Sequence, residues 1–171
     1  GVTLGQLVTS IFGGYALSRV QFRGRDGLFV GYLGSIMIPF VVLIIPMFLL
    51  MRAASLLDSY ASLVIVYSAF LLPYVIWMLK NFFEQVPVAL ESAARMDGCT
   101  RLGALFRVMI PAAGPGVVAT AVFAFIGAWN EFLFGLILTT RQVVPITVKI
   151  SALVSSTFHS DTSLVAATGM L

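Results

Sequence analysis

Charge is the scarcest property of this 171-residue chain: ten Lys and Arg and seven Asp and Glu make up 10% of it. A soluble domain carries about 25% charged residues, which this chain could not supply to a water-facing surface. With 60% hydrophobic residues and a mean hydropathy of +1.04, the composition places it among integral membrane proteins. Cysteine occurs once, as Cys99, which excludes an internal disulfide framework. The single histidine, His159, leaves no cluster to hold a metal. No G-x-x-x-x-G-K-[ST] loop occurs, so the chain has no P-loop of its own for nucleotide. Its net charge of +3 comes from basic residues scattered through loops, where membrane topology requires them, and no run is dense enough for nucleic acid. Asp26, Asp58, Glu84, Glu91, Asp97, Glu131 and Asp161 are equally scattered, unlike the clustered acids or Ser/His pair of a membrane enzyme.

What is present is a series of apolar runs. Four segments can span a bilayer: about Val2 to Ser18, Leu28 to Met51, Ala61 to Leu79, and Gly116 to Thr139. Pro39, Pro46 and Pro73 lie inside them, which a spanning helix tolerates where neighbours satisfy the freed carbonyls. A fifth run begins near Ser163 and stops at Leu171, so the sequence reads as a fragment of a longer membrane protein. Arg19, Arg23 and Arg25 follow the first segment, and Lys80, Arg95, Arg101 and Arg107 follow the third. By the positive-inside rule both stretches are expected on the cytoplasmic side. Arg141 and Lys149 fall on the other side, with His159 in a solvated loop rich in Ser and Thr.

The stretch from Pro87 to Pro111, PVALESAARMDGCTRLGALFRVMIP, is the longest run of regular charge. Pro87 suits the first turn of a helix. Glu91 and Arg95 stand at i and i+4 in the favourable order. Gly98 interrupts, and Thr100 is a good N-cap for a second helix, in which Leu102, Leu105, Phe106 and Met109 would form one apolar stripe with Arg107 opposite. The pattern predicts two short helices joined by a glycine bend at the membrane surface. Such helices anchor to headgroups or dock into a cleft of another protein, and the small Ala93 and Ala94 beside an acid suit close approach to a partner.

The spacing of Ser92-Ala93-Ala94, three residues, Gly98, nine residues, then Val108-Met109-Ile110-Pro111 resembles the EAA loop of ABC importer permeases, E-A-A, three residues, G, nine residues, I-x-L-P. Ser92 stands where that pattern has its glutamate, with Glu91 beside it. FAFIGAWNEFLFGLILT, Phe123 to Thr139, resembles the W-N-[DE]-F segment of maltose-type sugar permeases, and GGYALSRVQFRGRD resembles their A-Y-A-x-[AS]-R-x-x-F-x-G boundary at Tyr15, Ala16, Ser18, Arg19, Phe22 and Gly24.

The resemblance implies an all-α, polytopic type I importer permease fold, a single transmembrane domain over 1–171 with a cytoplasmic coupling loop at 80–113. The first span and most of the last would be missing. It implies that Glu91, Ser92, Ala93, Ala94, Asp97, Gly98, Arg101 and Pro111 couple to an ATPase. It also implies a multi-pass protein of a prokaryotic inner membrane, surrounded by lipid. Its partners would be a sister permease, two ABC ATPase subunits and an extracytoplasmic solute-binding protein, with ATP bound by the ATPase and no cofactor on this chain. A carbohydrate is the expected cargo; the alternatives are another solute, such as a glycerol phosphate ester, amino acid or peptide, and a membrane scaffold without transport.

For the substrate path the candidates are Trp129, Asn130 and Glu131. A carboxylate deep in a span costs roughly 2.5–3.5 kcal/mol, so Glu131 should face protein or water. On a continuous helix it would share a small-residue face with Ala124, Ala128 and Gly135. Two readings stay open for it, a polar path or a structural hydrogen bond. Trp129 either stacks on a sugar or packs at an interface, and Tyr67, Ser68 and Tyr74 are further candidates for the path.

Overall fold

A computed structural model describes residues 1–139 and 143–157. Arg141, His159, Asp161 and the apolar run near Ser163 lie outside the described residues. Among those described, every regular element is helical: α1 (Val2–Arg19), α2 (Arg25–Ile36), a 3-10 turn (Phe40–Leu43), α3 (Ile44–Ala53), α4 (Tyr60–Gln85), α5 (Val88–Met96), α6 (Arg101–Ala104), a π turn (Leu105–Met109), α7 (Ile110–Ala112), α8 (Gly114–Asn130), α9 (Leu133–Leu138) and α10 (Ile146–Thr157). The all-α expectation holds.

The spans are less continuous than the apolar runs predict. Of the described helices, α4 alone is long and apolar enough to cross a membrane in one piece. α1 forms over the expected residues, but Gln6, Thr9, Ser10 and Arg19 make it less apolar than α4. The predicted span Leu28–Met51 breaks at residues 37–39, where Pro39 disfavours the helical region for the residue before it. Pro46, by contrast, sits in the first turn of α3, where its missing N–H leaves no bond unmade. The predicted span Gly116–Thr139 breaks after Asn130, and α8 turns by 83° from Arg101–Ala112. The Lys149 stretch, expected as loop, forms α10.

The chain divides into two compact units, Gly1–Phe40 with Tyr67–Ala128, and Val41–Val66 with Trp129 onward. The first is built on α1, α4 and the segment from α5 to α8. Its core is Tyr15, Leu79, Phe83, Val86, Leu105, Met109 and Ala113, with Leu7, Ile11, Ile110 and Val117 packed on it. Small residues let α4 be approached closely. A Cβ on Gly14 would lie 3.1 Å from the Leu79 Cβ, and Tyr74 stacks on Phe123 of α8 at 4.8 Å between ring centroids. Gln6, Ser10, Ser62 and Thr120 of these helices are buried. The Gln6 amide donates to the Tyr67 carbonyl at 3.1 Å, and the Thr120 hydroxyl donates to the Gly116 carbonyl at 2.7 Å. Such bonds remove the cost of a buried donor where water is absent.

In the second unit α9 touches α3 and α10. Asp58, in the left-handed region at φ 56°, donates its N–H to the Leu138 carbonyl at 2.8 Å. Its carboxylate accepts from the Val143 N–H at 3.3 Å. One loop residue thus binds the end of α9 and the chain beyond it.

Candidate functional site: the surface loop between α4 and α8

The glycine bend and the helix on either side of it form as the sequence predicts, and each turn has a local cause. Pro87 takes the cap position before α5, one residue earlier than expected, with the extended backbone that ends α4. α5 ends in a Schellman arrangement: the Cys99 N–H donates to the Ala94 carbonyl at 3.0 Å, and the Gly98 N–H to the Arg95 carbonyl at 3.1 Å. That closure needs a left-handed residue, and Gly98 supplies it at φ +88°. Thr100 then caps α6, its hydroxyl oxygen accepting from the Gly103 N–H at 3.1 Å.

The expected apolar stripe of the second helix divides in two. Leu105 and Met109 are fully buried, whereas Leu102 and Phe106 are more than half exposed. The reason is the π turn over Leu105–Met109, whose wider winding breaks the 3.6-residue period that would have placed all four on one face. Arg107 is exposed, as expected.

The site residues sort into an inner and an outer face. Ser92, Ala93, Asp97, Gly98, Arg101 and Pro111 are exposed, together with Arg95 and Met96, which is 82% exposed. Ala94 faces inward. So does Glu91, which pairs with residues of α1 rather than with Arg95. Its Oε1 accepts from the Tyr15 hydroxyl at 2.6 Å, and its Oε2 lies 3.5 Å from the Arg19 Nε. The Arg19 guanidinium also donates to the Phe83 carbonyl at 2.7 Å and to the Val86 carbonyl. The role of Tyr15 and Arg19 was missed in the sequence. Their i, i+4 spacing puts both on one face of α1, but nothing local names a partner 72 or more residues away. Beside the loop, an open groove of about 370 Å³ is lined by residues including Phe82, Pro87, Leu90, Ala112 and Pro115.

The path candidates are arranged differently from expectation. Because α8 stops at Asn130, Glu131 does not continue the face of Ala124 and Ala128. Its carboxylate instead closes the start of α9, accepting from the Phe134 N–H at 2.9 Å and the Gly135 N–H at 3.2 Å. These are two of the donors a helix start leaves unpaired. The structural hydrogen bond left open by the sequence is therefore present, and it runs to the chain's own next helix. The Glu131 carbonyl accepts from the Thr147 hydroxyl at 3.1 Å, tying α10 to the same corner. Trp129, at 45% exposed, and Asn130 lie on the surface of this corner. Among the described residues no group of three or more His, Cys, Asp or Glu side chains could hold a metal.

Several known proteins are similar to this chain. The diacetylchitobiose uptake system permease protein of Streptomyces coelicolor is 40% identical over 125 residues, 73% of this chain and 45% of that protein. The trehalose/maltose transport system permease protein of Thermococcus litoralis is 34% identical over 148 residues, 85% of this chain and 53% of the relative. The trehalose transport system permease protein of Mycobacterium tuberculosis is 37% identical over 163 residues, 94% and 60%. The chain thus spans about half the length of the relatives it matches. A crystal structure of a bacterial ABC transporter involved in import of the acidic polysaccharide alginate contains a chain with the same fold, at a TM-score of 0.78 and 27% identity over 96% of this chain and 59% of that one. A family model, that of the inner membrane component of binding-protein-dependent transport systems, matches residues 6–171. With two exposed short helices joined at Gly98 and relatives of this kind over most of its length, the chain belongs to the family of inner membrane components of binding-protein-dependent transport systems.

Proposed function

We propose that this chain forms part of the permease subunit of an ATP-driven ABC importer for a carbohydrate. The observation that carries the reading is the α5–Gly98–α6 corner. Its outward face presents small, apolar and charged side chains with none of the described elements of this chain over them. A rigid corner with Ser92, Ala93 and Met96 outermost suits insertion into a groove on an ATPase. Asp97, Arg95, Arg101 and Pro111 would rim the contact. The named relatives belong to diacetylchitobiose, trehalose/maltose and trehalose transport systems, which favours a sugar as cargo over other solutes. The full assembly would hold a sister permease, two ATPase subunits that bind the nucleotide, and a solute-binding protein on the opposite side, within the inner membrane of a prokaryote. The loop would lie on the cytoplasmic side, as the arginines around it suggest.

The mechanism follows from rigidity. When the ATPase pair closes, the corner moves with it. α4 and α8, which leave the loop at Gln85 and Gly114, are carried along and the path changes its open side. Trp129 and Asn130, both exposed beside the corner that Glu131 fixes, would contact the cargo. The test is to purify the full-length protein with its native complex in mild detergent and to measure ATP hydrolysis with loaded binding protein and a panel of sugars. Copurifying ATPase, stimulated by one sugar-loaded binding protein, is the expected result. Absence of ATPase under conditions that preserve related complexes would overturn the reading.

A further inference from the structure

We infer that Tyr15, Arg19 and Glu91 are positioning residues that fasten the coupling loop directly to α1, so that α1 is driven by the loop; this rests on the coupling reading above. α5 and α1 are far apart in sequence. Yet α1 presents three successive contacts to the loop. Phe12 meets Phe106 edge-on at 6.1 Å, Tyr15 donates to Glu91 at 2.6 Å, and Arg19 pairs with Glu91 at 3.5 Å. Their spacings of three and four place them along one stripe of the helix.

The chemistry of this stripe is unusual for simple packing. The Arg19 side chain is 9% exposed and that of Glu91 11%. A well-packed apolar pair would hold two helices together as firmly, because buried ions give up their hydration. What ions and hydrogen bonds add is direction, since each bond fixes a donor against a particular acceptor atom. The Nη2 of Arg19 donates to the carbonyls of Phe83 and Val86, at the C-terminal end of α4 where helix carbonyls lack α-helical partners. Three segments therefore meet at one buried group: the end of α1, the end of α4 and the first turns of α5. Sliding of α5 against α1 would strand a buried carboxylate, so the loop and α1 move as one piece. The Lys80–Glu84 pair, at 2.7 Å within α4, lacks this property because the Glu84 side chain is 38% exposed and water can take the place of its partner.

The test uses the full-length protein assembled with its ATPase and binding protein in proteoliposomes. It reads solute transported per ATP hydrolysed for Tyr15→Phe, Glu91→Gln and the double variant. Tyr15→Phe keeps the ring packed against Phe83 and removes only the hydroxyl. The expected result is normal copurification of the ATPase with transport per ATP lowered about tenfold, the scale of one hydrogen bond to a charged group. The double variant should be no worse than the worse single one, because both act on the same link: Glu91→Gln keeps an acceptor for Tyr15 but loses the charge that strengthens that bond and pairs with Arg19. Unchanged transport per ATP, or a loss explained wholly by less assembled complex, would overturn the coupling role. Hydrogen exchange on the permease chain alone, in detergent, tests the tie without any ATPase. Faster exchange in α5 on Tyr15→Phe is expected, and unaltered exchange would refute the tie. A wild-type chain that brings no ATPase with it would instead strike at the importer reading, and the coupling role would fall with it.

Discussion

Gly116 at the start of α8 lies directly against the ring of Phe82 in α4: a Cβ built on it would fall 2.2 Å from the ring Cγ and 2.7 Å from the Phe82 Cβ. No side chain fits there, and the contact involves the root of Phe82, which cannot swing away by rotating at its far end.

Gly116→Ala is therefore expected to destabilise the protein by about 1–3 kcal/mol or more, the cost of forcing an extra methyl into a packed site. Thermal unfolding of the detergent-solubilised protein checks this. In a Phe82→Ala background, where the ring and its Cγ are gone, Gly116→Ala should cost less. A Gly116→Ala protein as stable as the parent would mean that the two helices separate more easily than the contact implies.

Gly98 gives the opposite case. Its φ of +88° favours glycine, but a Cβ there would meet nothing within 4 Å. Gly98→Ala should cost about 1–2 kcal/mol from the left-handed backbone alone, while Asn and Asp, which visit that region more readily, should cost less. Gly98→Asp is expected to insert and remain folded yet lose transport and stimulated ATP hydrolysis, since any obstruction must come from the docked partner. Normal transport by that variant would argue against docking at this bend.

Glu131 accepts from two N–H groups of α9, so Glu131→Ala should cost about 1–2 kcal/mol, the range for a lost helix cap. Glu131→Gln keeps one acceptor oxygen and should recover much of the stability. If the residue is purely structural, the affinity for solute in the assembled transporter is the same for Glu131→Gln as for the parent. A large change in affinity with unchanged melting temperature would put the carboxylate in the path.

The legible parts of this protein were those set by local sequence. Gly98, Thr100 and the EAA-type spacing specify the loop because a Schellman closure and an N-cap each depend on residues within five positions. The breaks in the apolar runs were read poorly, since hydropathy reports where a chain is apolar and not where its backbone turns. Glu131 held a usable signal: an acid inside an apolar run can cap a new helix as readily as it can sit on a continuing one. Tyr15, Arg19 and Glu91 were out of reach for a different reason. Their association depends on how α1 and α5 lie against the end of α4, and no single segment encodes that. Pairing Glu91 with Arg95 was the natural local reading, and tertiary burial overrode it.

The π turn at Leu105–Met109 makes chain length in that segment a constraint separate from side-chain identity. It accommodates one residue more than an α-turn would, between the bend at Gly98 and the entry to α8. Removing one residue there would close the π turn to an ordinary α-turn and leave the helix on either side in phase. Substitutions at Leu102 or Phe106 leave that count intact. The segment can therefore give up one residue, whereas one residue more would rotate everything beyond it by about 100° and carry Met109 out of the core.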